Sequence, residues 1–307
     1  MKTVVITGAG GFLGRHTARH FSRLGWRVVG LDDVPPENAP TSSLARFVRL
    51  RLPSAEFAPL LAEEKPHACV HCAGRASVPL SMQDPAGDFR DNTGLTFELL
   101  EALRRHAPEC HFLLLSSAAI YGNPPSLPIR ESDPVAPLSP YGWHKHQAEM
   151  LCAEFSTVFQ LRTTIVRIFS AYGPGLRRQV VWDICERLLT TRQLTLRGTG
   201  RESRDFIHAA DVAHALALLT EKSPARADIF NLAAGRETTI AELAGLAAAA
   251  LEVSVPPSFD GADTPGQPLN WRADITRINA LGFTPQVSLE EGVRGVAAWA
   301  RAELGTL

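Results

Sequence analysis

The stretch that most constrains this chain is Gly8-Ala9-Gly10-Gly11-Phe12-Leu13-Gly14. It follows directly on a β-branched run at residues 3–7 and opens a helix-length pattern at residues 12–24. Glycines at 8, 11 and 14 suit three separate needs: a tight turn, a close backbone approach to a pyrophosphate, and close packing of the helix on the sheet. An anion held there meets free N–H groups and the positive end of a helix dipole. Asp32 ends the next strand, 18 residues after Gly14, close to the ~20 at which an acid reads a ribose in dinucleotide sites. A carboxylate at that point accepts hydrogen bonds from ribose hydroxyls and repels a 2′-phosphate. The pattern therefore predicts a dinucleotide site that prefers NAD to NADP.

The rest of the first half keeps the same rhythm. Short apolar runs at 27–31, 46–50, 68–72, 112–116 and 163–169 read as strands buried on both faces. Helical patterns at 55–63 and 95–106 lie between them. Such alternation predicts an α/β fold with a doubly wound, Rossmann-type parallel sheet. Pro and Gly then cluster at 173–175 and 256–268, residues 198–205 read as a polar loop, and 229–232 reads as a late strand returning to the first sheet. These features predict a cofactor domain of residues 1–170 plus about 206–233. They predict a smaller, interleaved α/β substrate domain of about 171–205 plus 234–307.

Tyr141 and Lys145 follow Ser139-Pro140, a helix-start signal, and are four residues apart, so they share a helix face. A free phenol has a pKa near 10, too high for a base at neutral pH. A nearby ammonium and an oxidised nicotinamide both favour the phenolate. Ser117 ends a predicted strand, at the sheet edge where open parallel sheets bind ligands, and is placed to hydrogen-bond a substrate oxygen.

In this combination the chain resembles the extended short-chain dehydrogenase/reductases, specifically the NAD-dependent nucleotide-sugar epimerase/dehydratase group. The likeness rests on Thr7 to Gly14, Val70 to Ala73, Asp84-Pro85, Asn92-Thr93-Gly94, Ser116-Ser117 with Tyr121-Gly122, Tyr141 to Lys145, Tyr172-Gly173-Pro174 and Arg204-Asp205-Phe206-Ile207-His208. It implies Ser117, Tyr141 and Lys145 as the catalytic set. It implies cofactor contacts from Gly8, Gly11, Phe12 and Leu13, from Asp32 and Asp33, from Cys72, Ala73 and Gly74, and from Asn92 and Ser116. Substrate contacts are expected from Ser117, Ser170, Arg177, Arg178 and Arg204. The implied reaction is epimerisation of a nucleotide sugar, at C4 through a transient 4-keto sugar with Tyr141 as base. The alternatives are a ketoreductase or dehydrogenase of a sugar or sugar nucleotide, using the same three residues, and a non-catalytic dinucleotide-binding protein. The resemblance also implies a homodimer packed through helices around 95–106 and 145–155.

Four departures narrow this. The dehydratases' Asp-Glu proton relay falls on Ala118 and Ala119, which move no protons. The adenine-reading Asp after the third strand falls on Arg51. The substrate-binding Asn falls on Ser170, and the C-terminal phosphate clamp falls on Thr264, Gly266 and Gln267.

The chain's 307 residues carry a formal charge of −1, which gives no global field for nucleic acid or an anionic membrane. The uncharged run at 243–251 is too short to span a bilayer. Five cysteines and no predicted signal segment suggest a reduced, cytoplasmic setting. Cys69 and Cys72 read as buried strand residues and not as a redox or zinc pair, so no metal is expected. His144 reads as an ordinary helix residue.

Overall fold

The computed structural model describes residues 1–262, 266 and 268–305. The chain begins β1 (Thr3–Thr7), α1 (Phe12–Arg23), β2 (Arg27–Asp32), β3 (Arg46–Arg49), α2 (Phe57–Glu64) and β4 (Ala68–His71). Next come α3 (Val78–Gln83), α4 (Pro85–Phe89), one wide π-helical turn (Arg90–Gly94), α5 (Leu95–His106), β5 (His111–Ser117), α6 (Pro140–Phe159) and β6 (Thr163–Ile168). The later part holds β7 (Ser170–Tyr172), α7 (Gln179–Thr190), β8 (Thr195–Leu196), β9 (Ser203–His208), α8 (Ala209–Lys222) and β10 (Arg226–Leu232). It closes with β11 (Glu237–Thr239), α9 (Ile240–Ala250), β12 (Ser258–Phe259), α10 (Thr276–Asn279) and α11 (Leu289–Leu304).

Seven strands form one sheet in the order β10-β6-β5-β4-β1-β2-β3, with every neighbouring pair parallel. The fold is the doubly wound α/β architecture that the alternation predicted. Strand order reverses between β1 and β4, so the loops leaving those two strands part and open a crevice at their carboxyl ends. The sheet carries apolar side chains on both faces. Val4, Ile6, Val70 and Leu113 pack under α1 and α8, and Val5, Cys69, Phe112 and Leu114 pack under α5 and α6. Each such fully buried aliphatic side chain contributes about 1.5–3 kcal/mol relative to exposure. The late run at 229–232 does return to the sheet: it lies in β10, paired with β6 in the register Ile229↔Ile165.

A separate core joins Trp182, Ile184, Leu188, Leu243, Val293 and Val296 from α7, α9 and α11. Beside it lie a three-stranded sheet, β11-β9-β7, and the β12-β8 pair. Here the expected loop at 198–205 needs correcting, because Ser203, Arg204 and Asp205 are strand residues of β9. Their polar side chains mimic a loop, but a ladder with Glu237, Thr238 and Thr239 holds them extended. Buried Asp205 accepts from the backbone N–H of Ala234, Gly235 and Ala273 at 2.9, 3.1 and 3.0 Å. It thereby fastens three distant segments together.

Candidate active site

The crevice is lined first by backbone. Gly8 has φ +69°, and a Cβ there would lie 2.7 Å from the amide nitrogen of Ala73. A Cβ on Gly14 would lie 2.0 Å from the carbonyl oxygen of Gly8. The glycine loop, α1 and the segment after β4 thus interlock at distances only glycine permits. No side chain caps the N-terminus of α1 at Gly11, so its free N–H groups remain available to an anion. Phe12 and Leu13 form the first turn beside it, half-buried.

Asp32 faces this loop. Its Oδ2 accepts from Gly10 N–H at 2.8 Å and its Oδ1 from Val34 N–H at 3.2 Å. Asp33 points to solvent, and its carbonyl accepts from Arg49. Arg51 is exposed beyond β3. Sequence reasoning missed Arg15, whose Nε donates to Gly10 O at 2.6 Å and braces the loop from its helical side. Its signal was its place just after Gly14, on the first turn of the helix.

Across the crevice, Cys72 and Ala73 follow β4, and Gly74 abuts Asn92: a Cβ on Gly74 would come 2.8 Å from Asn92 Oδ1. Asn92 sits in the π turn, buried, with neither amide atom hydrogen-bonded. π turns recur at functional sites, and an orphaned buried amide calls for a missing partner. A Cβ-free cradle, an uncapped helix, an acid at the end of β2 and an orphaned amide together fit a bound dinucleotide.

One cofactor expectation needs correction. Ser116 donates its hydroxyl to Glu149 at 2.5 Å, so that side chain is not free for a cofactor. Successive strand residues face opposite ways, and it is Ser117 that turns to the cleft. The thiol of Cys72 is pushed up to about 12 by burial, and that of Cys69 is also raised. Both behave as small hydrophobes, not as thiolates.

The groups expected to react stand at the carboxyl end of β5. Ser139 caps α6 by accepting from Gly142 N–H at 3.3 Å, and Pro140 occupies the first turn. This start sets Tyr141 and Lys145 on the buried face of α6. Lys145 donates from Nζ to Leu115 O at 3.0 Å, with Nζ 6.0 Å from the Tyr141 ring centre. Ser117 accepts from Ala119 N–H at 3.1 Å, and its hydroxyl favours the phenolate of Tyr141.

Burial lowers the Lys145 ammonium to about 8. It raises the Tyr141 phenol, and the Asp88 charge adds to that rise while Ser117 and Arg178 oppose it. The expected lowering of the phenol is therefore not achieved by the protein's own charges, because desolvation outweighs them. Nor is His144 an ordinary helix residue: its Nδ1 lies 2.6 Å from Asp88 Oδ2.

The substrate side is less uniform. Ala118 is buried and Ala119 half-buried, directly after Ser117. Ser170 opens β7, half-buried. Arg178 donates to Ala76 O and adds its charge to the surroundings of Tyr141. Arg177 instead pairs with Glu303 on α11, which removes it from the expected substrate contacts. Arg204 lies over the Trp271 ring at 5.4 Å and donates to Ser203 O and Leu269 O at 2.8 and 3.0 Å. Burial lowers its guanidinium to about 10, and among the described residues no carboxylate pairs with it. Thr264 and Gln267 lie outside the described residues.

Residues 4–233 match the NAD dependent epimerase/dehydratase family. The chain belongs to that family. Over 305 residues it is 33% identical to a UDP-glucose 4-epimerase of Mycolicibacterium smegmatis, covering 95% of this chain and 96% of that protein. The UDP-glucose 4-epimerase of Thermotoga maritima, solved with UDP-glucose, superposes with a TM-score of 0.89 at 28% identity over 98% of this chain and 99% of the other. The Thermus thermophilus UDP-glucose 4-epimerase, solved with NAD, gives 0.89 at 28% over 99% and 100%. This member of the family is thus an NAD-dependent epimerase of the extended short-chain dehydrogenase type.

Proposed function

We propose that the protein interconverts the C4 epimers of a UDP-hexose, with NAD held between β1 and β4. The carrying observation is the set of half-buried Ser117 with buried Tyr141 and Lys145 at the sheet's carboxyl end, beside two alanines that move no protons. Gly8, Gly11, Asp32, Asn92 and their neighbours would hold NAD, which when bound supplies a hydride acceptor and donor and a positive charge. Tyr141 takes the C4 hydroxyl proton as the sugar is oxidised and returns it as the 4-keto sugar is reduced on its other face. Ser117 hydrogen-bonds the C4 oxygen throughout. Lys145, kept from solvent under Leu115, holds its positive charge on the phenol's side of the helix. Ala118 and Ala119 leave no acid for a leaving C6 hydroxyl and no base for the C5 proton, so turnover stops at inversion. Arg204, charged and unpaired in a half-apolar setting, suits the diphosphate.

The test is to purify the protein with its own cofactor and supply UDP-glucose alone. Formation of UDP-galactose without added NAD supports the reading. Stoichiometric consumption of added NAD(P)H overturns it in favour of a ketoreductase.

We also assign residues 1–170 with about 206–233 to the cofactor domain, and about 171–205 with 234–307 to the substrate domain, on the separate core around Trp182 and Val293. Trp143, Met150 and Val158 on α6 are 51%, 59% and 63% exposed. Together with Phe97 on α5, they make an apolar face that suits a homodimer, and light scattering after gel filtration checks it. Among the described residues no helix is long and apolar enough to cross a membrane. With all five cysteines free, we place the protein in the reducing cytoplasm.

A further inference from the structure

Asp88 is a carboxylate with no solvent contact, next to the catalytic pair. Its side chain is 0% exposed and that of its partner His144 is 12% exposed. Oδ2 lies 2.6 Å from His144 Nδ1, while Oδ1 has no hydrogen-bond partner. An ionised carboxylate only accepts, so a charged Asp88 requires the proton on Nδ1. A buried charge with one oxygen unsatisfied is costly to keep. A charge on Asp88 reaches both reacting groups: it is the leading charge that favours the protonated form of Lys145 against burial, and it also favours the protonated form of Tyr141.

The other charges near it are already matched. Arg75 is clamped between Asp84 and Asp91 at 2.7 and 2.6 Å, and Glu149 on α6 is paired with Arg167 at 2.7 Å. Arg90 follows α4, Arg178 approaches from the Tyr141 side, and Cys72 is protonated. The π turn packs on α6 and fixes the backbone of the pair, with Thr93 Oγ1 donating to His144 O at 3.0 Å.

We propose that Asp88 and His144 form a charge-setting pair, in which the His144 Nδ1–H keeps Asp88 anionic and Asp88 holds the protons of the Tyr141–Lys145 pair. Both are positioning residues, acting through Tyr141 and Lys145, and the proposal rests on the catalytic role given to those two above. At residue 144, where the resembled family often has a serine, an imidazole places a ring nitrogen against Asp88. Loss of the Asp88 charge therefore lets both reacting groups release protons at lower pH.

The experiment uses the NAD-loaded protein as wild type, Asp88→Asn, Asp88→Glu and His144→Ser. The chain has three tyrosines, and burial raises the other two, Tyr121 and Tyr172. Subtracting the spectrum of Tyr141→Phe therefore isolates the Tyr141 phenolate absorbance. Asp88→Asn is expected to move that titration, and both limbs of the kcat profile, to lower pH by about one unit, with KM little changed. His144→Ser should move them part of the way, and Asp88→Glu should restore them. Phenolate titrations that superimpose in folded, NAD-bearing wild type, Asp88→Asn and His144→Ser overturn the proposal. His144→Ser, at the less buried end of the pair, carries the test if Asp88→Asn does not fold. Should no UDP-hexose be turned over even by wild type, the functional reading fails while the absorbance still decides the pair.

Discussion

At the cofactor end of the cleft, contacts run from backbone to backbone: Gly14 against Gly8, Gly8 against Ala73, and Gly11 N–H to Gly8 O at 3.0 Å. At the substrate end they run through long side chains: Arg204 over Trp271, and Arg178 reaching Ala76 O. Backbone contacts tolerate almost no substitution, because a Cβ has nowhere to go. Side-chain contacts can be rebuilt one residue at a time. The difference accounts for a chain that keeps every glycine of the loop yet has Ser170 where its resembled family has Asn. One end fixes which cofactor enters, and the other is where substrate choice can drift.

The sharpest break separates chemistry from binding. Tyr141→Phe removes the phenol proposed to take the C4 proton, and should lower kcat by about 10² or more while NAD stays bound. Cofactor content and UDP-hexose turnover, measured on the same preparation, check this, and full activity would sink the assigned mechanism. The reverse outcome is expected at the cofactor end. Gly14→Ala puts a methyl 2.0 Å from Gly8 O, which should cost about 3 kcal/mol, the upper part of the usual overpacking range. It should appear as a lowered unfolding midpoint and as protein purified without NAD.

What could be read in the sequence follows the same division. Strands β1, β2, β4, β5 and β6, helix α1 and the Tyr141–Lys145 spacing all declare themselves locally, through apolar runs, glycines and the four-residue repeat of a helix face. β9 did not, because Ser203, Arg204 and Asp205 look like a loop until their partners at Glu237–Thr239, which lie far along the chain, are in place. Residues 78–94 hid α3, α4 and the π turn, since Asp84-Pro85 breaks any helical period there. The Asp88–His144 contact joins residues 56 apart and leaves no local pattern. Local patterns were legible and contacts between distant segments were not, which is why the expected substrate contact of Arg177 and cofactor contact of Ser116 needed correction.

A milder change tests the substrate end alone. Arg204→Ala removes the charged donor proposed for the diphosphate, worth about 2 kcal/mol by the usual scale of charge-assisted hydrogen bonds. KM for a UDP-hexose should rise by about thirtyfold, with kcat and NAD content nearly unchanged, as initial rates over a substrate series will show. An equal fall in kcat with KM unaltered would instead tie Arg204 to the transition state.

The smallest effect is expected at Cys72, on the cofactor side but outside the backbone lattice. Its thiol is protonated up to about 12 and sits half-buried against the apolar cluster under α1. Cys72→Ala removes only a soft, weakly polar atom there, so it should cost less than about 1 kcal/mol by thermal denaturation and alter turnover by less than about twofold. A zinc chelator or a mild oxidant should likewise leave activity in place. Loss of activity with either reagent would mean that the Cys69–Cys72 pair has chemistry of its own, and that the cofactor end too depends on a side chain.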